Sequence, residues 1–136
     1  MNAKEYLSQV MFIDRRIDSK LEQVMALRDM AAKASALVSD MPRADSPNLH
    51  SMEDTIIRIV DLEREINRDI DRLVDLKAEV RRAIGQVEEP EQQLVLELRY
   101  LCYKKWSEIM IELNYSEPTV YRLHDEALKK ITVPDQ

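Results

Sequence analysis

Apolar residues return every three or four positions along most of this chain, the spacing that gathers them on one side of an α-helix. Between Ala3 and Ser39 the recurring positions are Val10, Ile13, Ile17, Val24, Leu27, Ala31, Ala34 and Val38, with Lys20 the one polar member of the series. Leu7, Leu21 and Met25 widen that stripe. From Met52 to Ile84 a second series runs through Ile56, Ile59, Leu62, Ile66, Ile70, Leu73, Leu76, Val80 and Ile84, with Leu62 and Leu76 one position off a strict heptad. Both series predict long helices with a seam near the coiled-coil period, each about 50 Å long at 1.5 Å per residue. The connection SDMPRADSPNLHS holds two prolines among Ser, Asp and Asn, so the helices fold back as an antiparallel hairpin. Ser51 is placed to cap the second helix, with Glu53 and Asp54 near the positive end of its dipole. Two helices cover only part of such broad stripes. Self-association, as a homodimer through the hairpin, is therefore expected; the alternative is a hairpin that packs only on itself.

Gly85, the only glycine, reads as the C-terminal cap and hinge of the second helix. Glu88-Glu89-Pro90 opens a third block, which divides the chain into a hairpin over residues 1–87 and a compact domain over residues 88–136. Three short helices are expected in that domain: Glu91–Tyr103, Trp106–Leu113 and Glu117–Lys130. The last two form the layout of a helix-turn-helix. Trp106, Ile109 and Leu113 give one apolar stripe, and Val120, Leu123, Ala127, Leu128 and Ile131 give the other. Asn114 tolerates the left-handed conformation that ends many helices. Ser116 can accept from the free N–H groups of the next helix, and Pro118 falls in its first turn, where a missing N–H costs little. A short turn between steeply crossing helices is how proteins set a helix into the DNA major groove. Short helical hairpins also occur as plain core.

Composition supports an all-α fold and narrows the chemistry. Charged residues make up 34% of the chain, and no alternating strand pattern appears. The single cysteine, Cys102, excludes an internal disulfide; its apolar neighbours predict a buried structural thiol. The N-terminal stretch carries acids within its apolar run, unlike a signal peptide, and no apolar run reaches bilayer-spanning length, so a soluble cytoplasmic protein is expected. His50 and His124 have no second ligand at metal spacing, and a glycine-rich phosphate loop is impossible with one glycine. Asp61, Glu65, Asp69 and Asp75 interleave with Arg64, Arg68 and Arg72, which reads as a solvated salt-bridge face. No catalytic site, metal or cofactor is expected, and the chain does not read as an enzyme.

Net charge is −6, an awkward balance for a DNA binder. Only a local arrangement of Lys104, Lys105, Arg122, Lys129 and Lys130 offsets it. A lone copy is expected to bind double-stranded DNA weakly, so that dimerisation or docking on another DNA-bound protein supplies the rest.

The stretch LVLELRYLCYKKWSEIMIELNYSEPTVYRLHDEALKKI resembles region four of sigma factors, the module that reads the −35 promoter element. The Arg-Tyr segment around Glu97–Tyr100, the Glu108–Ile109 pair, Leu113, Ser116–Val120 and Ala127–Ile131 carry the likeness. The Lys-Trp-x-x-Ile, Asn-Tyr-Ser and Tyr-Arg-Leu-His combination is closer still to small phage and prophage transcriptional regulators of the ArpU and RinA type from Gram-positive bacteria. That resemblance implies an activator of late phage genes in a bacterial host cell, and RNA polymerase as a possible second partner. Lys105 stands where the module usually has a Ser or Thr cap, and Met110 where it usually has a small residue. The chain also lacks the basic, aromatic-rich segment with which full sigma factors open DNA.

On the second motif helix Val120, Leu123, Ala127 and Leu128 face inward by period. Glu117, Pro118, Thr119, Tyr121, Arg122 and Asp125 are left outward or near the N-terminal end that enters the groove. Arg122 suits a guanine contact or a phosphate clamp, Thr119 a thymine methyl, Glu117 a cytosine amino group, and Tyr121 backbone or base. Lys104, Lys105, Lys129 and Lys130 suit phosphates. His124 is either a core residue or a phosphate contact, and Trp106 anchors the motif. Two rival readings remain: a small terminase-like DNA-packaging subunit, and a helical adaptor that binds RNA polymerase instead of DNA.

Overall fold

The computed structural model describes residues 1–39 and 47–134, with side chains for 1–36 and 50–134, and within them the protein is all-α. Helix α1 spans Ala3–Ser39 and α2 spans Pro47–Gly85. Three shorter helices follow: α3 (Pro90–Leu96), α4 (Trp106–Leu113) and α5 (Glu117–Leu128), with a π-helical turn over Glu97–Leu101 between α3 and α4. The predicted turn within SDMPRADSPNLHS falls largely on residues 40–46, outside the described residues. Helix α2 starts earlier than expected: Pro47 opens it, a residue suited to a first turn, so Ser51 lies inside the helix and is not its cap. Gly85 is its last residue, but no glycine has positive φ, so the helix ends without a left-handed glycine cap. Two reverse-turn bonds close it instead, Gln86 N–H to the Ala83 carbonyl (3.3 Å) and Val87 N–H to the Ile84 carbonyl (3.0 Å).

Packing divides the chain into two compact units, one of Arg15–Asp71 and one that joins Met1–Asp14 to the chain from Arg72 onward.

In the Arg15–Asp71 unit α1 and α2 run antiparallel. Lys20 donates to Asp69 at 2.6 Å, and the later Arg28 pairs with the earlier Glu63. Ile17, Val24, Ile59, Leu62 and Ile66 are buried there. Leu62, which a strict heptad would displace, is inside, because an α-helix turns at 3.6 residues and its buried stripe drifts across the repeat. Four expected members are outside: Leu21, Met25, Ile56 and Ile70 are 41–67% exposed. Lys20, the polar member of the first series, is half-buried and lies 3.8 Å from Glu65 as well as on Asp69. Glu65 and Asp69 of the expected salt-bridge face thus reach across to α1.

In the other unit Tyr6, Leu7, Val10 and Ile13 are buried, as are Leu73, Leu76, Val80, Ile84 and Val87. From α3 to the end of α5 the core comprises Val95, Leu96, Leu98, Tyr100, Ile109, Val120, Leu123 and Ala127. The expected Glu91–Tyr103 helix does not run through in α form. At Glu97 it widens: Cys102 N–H reaches the Glu97 carbonyl and Lys104 N–H the Leu98 carbonyl, both at 3.0 Å. Tyr103 then takes φ 59°, left-handed. That conformation costs a non-glycine residue about 1–2 kcal/mol. Two contacts offset it: the Tyr103 hydroxyl donates to Asp14 at 2.6 Å, and the Lys77 ammonium sits 5.6 Å from its ring centroid. Cys102 caps the π turn and is exposed, not buried, because the wider turn rotates it away from the core.

Candidate nucleic-acid interface

Helices α4 and α5 form the predicted helix-turn-helix. Leu98, Ile109 and Val120 make its core, and Trp106, Met110, Leu113 and Tyr115 pack against them. Met110 is accommodated at the edge of this core. Asn114 ends α4 at φ 58°, ψ 44°. Its N–H reaches the Ile111 carbonyl (3.3 Å) and Tyr115 N–H the Met110 carbonyl (3.1 Å), the paired bonds of a Schellman turn. The chain leaves that turn toward Ser116, whose extended backbone makes it the residue before α5. Its hydroxyl does not cap the helix N–H groups as expected. It bonds the Thr119 hydroxyl at 2.8 Å, which fixes Thr119 at the N-terminal end of α5. Pro118 is in the first turn. At the other end of the motif Lys105 occupies the cap of α4. A lysine side chain has no acceptor, so only half a capping box forms: Lys105 N–H donates to the Glu108 carboxylate at 3.2 Å.

The inward face of α5 is Val120, Leu123, His124 and Ala127, with Leu128 half-buried. His124 is the polar one, and its burial decides between its two expected roles in favour of the core. Its Nε2 lies 2.6 Å from the Tyr100 hydroxyl and its Nδ1 lies 3.6 Å from Asp125. With the ring neutral, the Nδ1 proton faces Asp125 and Nε2 accepts from Tyr100. Burial holds His124 below its ordinary 6.5, against the opposing pull of Asp125. Burial also pushes the Tyr100 hydroxyl up to about 12, so that it stays a donor. Trp106 lies edge-on to both His124 (4.6 Å between centroids) and Tyr121 (5.2 Å). The Arg99 guanidinium stacks 4.7 Å over the Trp106 ring while donating to the Lys104 carbonyl at 2.9 Å. Arg99 and Tyr100, which carry part of the resemblance but no structural role in the sequence pattern, therefore brace the motif from the π turn.

The outward face carries the expected groove residues. Glu117, Pro118, Tyr121, Arg122 and Asp125 are exposed, and Thr119 is half-buried. The structure brings Thr119, Tyr121 and Arg122 together on the first two turns of α5. The cations divide. Arg122 lies 3.3 Å from Glu126 one turn on, Lys104 donates to Glu112 at 2.6 Å, and Lys130 bonds Glu89 as well as Gln92. The bond to Glu112 raises the Lys104 pKa, and the bond to Lys130 lowers that of Glu89. Among the described residues Lys105 and Lys129 are exposed and make no ion pair. Exposed pairs of this kind are screened by water and hold their cations only weakly, so another anion can take the carboxylate's place at small cost. Of these carboxylate partners, only Glu126 was signalled in the sequence, by its i,i+4 spacing from Arg122.

No group of three potential metal ligands occurs among the described residues, and no described helix is long and apolar enough to cross a membrane. The family described as "Protein of unknown function (DUF1492)" matches residues 44–132, which include all of α3, α4 and α5. No curated protein and no solved structure matches the chain.

Proposed function

The chain thus belongs to the DUF1492 family, and from that premise we propose that it is a DNA-binding transcriptional regulator that lays α5 in the major groove. The observation that carries the reading is the α4–α5 turn. A Schellman turn at Asn114, a one-residue step to Ser116 and Pro118 in the first turn present the N-terminal half of α5 with its polar side chains outward. Arg122 is the base-reading or phosphate-clamping residue, and Thr119 and Tyr121 lie beside it. Glu117 and Pro118 border the groove, while Lys104, Lys105 and Lys129 meet phosphates. The likeness of these segments to ArpU- and RinA-type regulators supports a phage or prophage promoter, and activation, as the setting. RNA polymerase is then the natural second partner.

The test is selection of duplexes from a random pool, followed by a salt titration. Four phosphate or base cations per copy give a slope near −4 in log affinity against log salt. Arg122→Ala is expected to weaken the selected site by about 1–3 kcal/mol while leaving random DNA less affected. Absence of binding to either pool at low salt overturns the reading. A second reading, a helical adaptor for RNA polymerase, draws on Ile111, 82% exposed on α4, and on the carboxylates that engage Lys104, Arg122 and Lys130. It predicts that Ile111→Asp abolishes capture of polymerase while DNA affinity stays nil.

A further inference from the structure

The Arg15–Asp71 unit leaves one face apolar and open. On α2 a second series runs beside the buried one: Ile56, Val60, Glu63, Asn67 and Ile70, spaced four, three, four, three. That alternation is a coiled-coil seam. Ile56, Val60 and Ile70 are 48%, 42% and 41% exposed, and Asn67 is exposed. On α1, Leu21 and Met25 are 45% and 67% exposed. They share an edge of α1 with Arg28, which lies four- and three-residue steps further on, and Arg28 pairs with Glu63 in the middle of the α2 series. The Lys20–Asp69 pair closes the opposite edge. One side of the hairpin therefore presents both apolar rows, with an ion pair and an asparagine between them.

The order of this seam points to its occupant. Along α2 its stretch from Val60 to Ile70 reads apolar, polar, polar, apolar, so that stretch matches itself when a second copy crosses it antiparallel about an axis near residue 65. Val60 then meets the partner's Ile70, and Glu63 meets the partner's Asn67, whose amide donates to the carboxylate. Parallel, in-register pairing instead sets Glu63 against the partner's Glu63, like charge on like charge. An unrelated partner has no reason to match polar centre to polar centre. We infer that this face is where two copies of the chain pair antiparallel along α2 into a four-helix bundle, with apolar layers on either side of a Glu63–Asn67 centre. A single asparagine at a seam position fixes register in this way at some cost in strength. The inference does not depend on DNA binding, and its consequence for that function is that each assembly carries two α5 helices.

Sedimentation equilibrium of the full chain without DNA is expected to give a dimer that dissociates on dilution. The double variant Val60→Lys, Ile70→Lys is expected to be monomeric with unchanged far-UV circular dichroism, since both positions are exposed. Disulfide mapping fixes the direction. In a Cys102→Ser background, Val60→Cys chains alone and Ile70→Cys chains alone should not cross-link, whereas their mixture should. A monomer at every concentration, a ring of eight or more copies, or self-cross-linking of Val60→Cys chains overturns the inference.

Discussion

The Arg15–Asp71 hairpin and the α4–α5 motif are both made of amphipathic helices, yet they dispose of their apolar residues in opposite ways. The motif surrounds a small core on several sides: Ile109, Val120 and Ala127 are fully enclosed, and Trp106 and His124 seal it. What it shows outward is mostly polar, with Arg122, Asp125 and Glu117 on α5. Among the described residues the hairpin has no third element, and Leu21, Met25, Ile56, Val60 and Ile70 are exposed. A helix of several heptads bears more than one stripe, and a single partner helix covers only one of them. The motif is complete as a fold and offers chemistry suited to nucleic acid, whereas the hairpin is incomplete and offers a surface suited to another hairpin.

The contrast is broken most severely by cutting each apolar set. Ile109→Ala empties the enclosed core of the motif and is expected to cost about 2–5 kcal/mol in denaturant unfolding. Ile56→Ala, at dilute concentration where copies are apart, is expected to cost less than about 0.5 kcal/mol. Equal losses at the two positions would erase the distinction.

A middle-sized effect is expected from pH. Burial lowers the folded-state pKa of His124 below 6.5, so the unfolded chain binds the extra proton first. Stability is therefore complete above about 6.5 and declines as pH falls from there toward the folded-state value. Thermal unfolding between pH 7 and 5 should show this decline in the wild type and a flatter profile in His124→Gln. The Glu89–Lys130 pair enters lower: the Glu89 carboxyl is held below its ordinary 4.5, so its contribution is lost only in more acid solution. A wild-type profile flat down to pH 5 would show that His124 does not titrate against the fold.

The smallest effect is at the turn. Asn114→Ala places a side chain with no local hydrogen-bonding capacity at φ 58° and is expected to cost about 1 kcal/mol, while Asn114→Gly is neutral or slightly stabilising. If alanine and glycine behave alike there, the left-handed turn is not what joins α4 to α5.

Asn114 also marks what could be read from sequence. Its chemistry announces a left-handed residue, and the apolar periods on either side announce the helices it joins. Tyr103 adopts nearly the same φ without any such signal, because what holds it there is tertiary: Asp14, far away in sequence, takes its hydroxyl. The π turn hid for the same reason, and with it the exposure of Cys102 and the bracing roles of Arg99 and Tyr100. Ser116 was legible as the residue before α5 but not in its bond to Thr119, since two hydroxyls three residues apart compete with the backbone for each other. The hairpin's periods located its helices, but not which members face out. That depends on where the partner helix sits on a stripe wider than the partner can cover, and so Leu21, Met25, Ile56 and Ile70, all members of the stripes, lie outside.

In the proposed regulator, α5 reads DNA through the residues its turn presents. Backbone amide shifts of isotopically labelled protein, followed during titration with a selected duplex at low salt, test it most directly. The largest changes are expected at Thr119, Tyr121 and Arg122, smaller ones at Lys105 and Lys129, and none along Ile56–Ile70. Changes centred on α1 and α2 with α5 silent, or no changes at all, would contradict it.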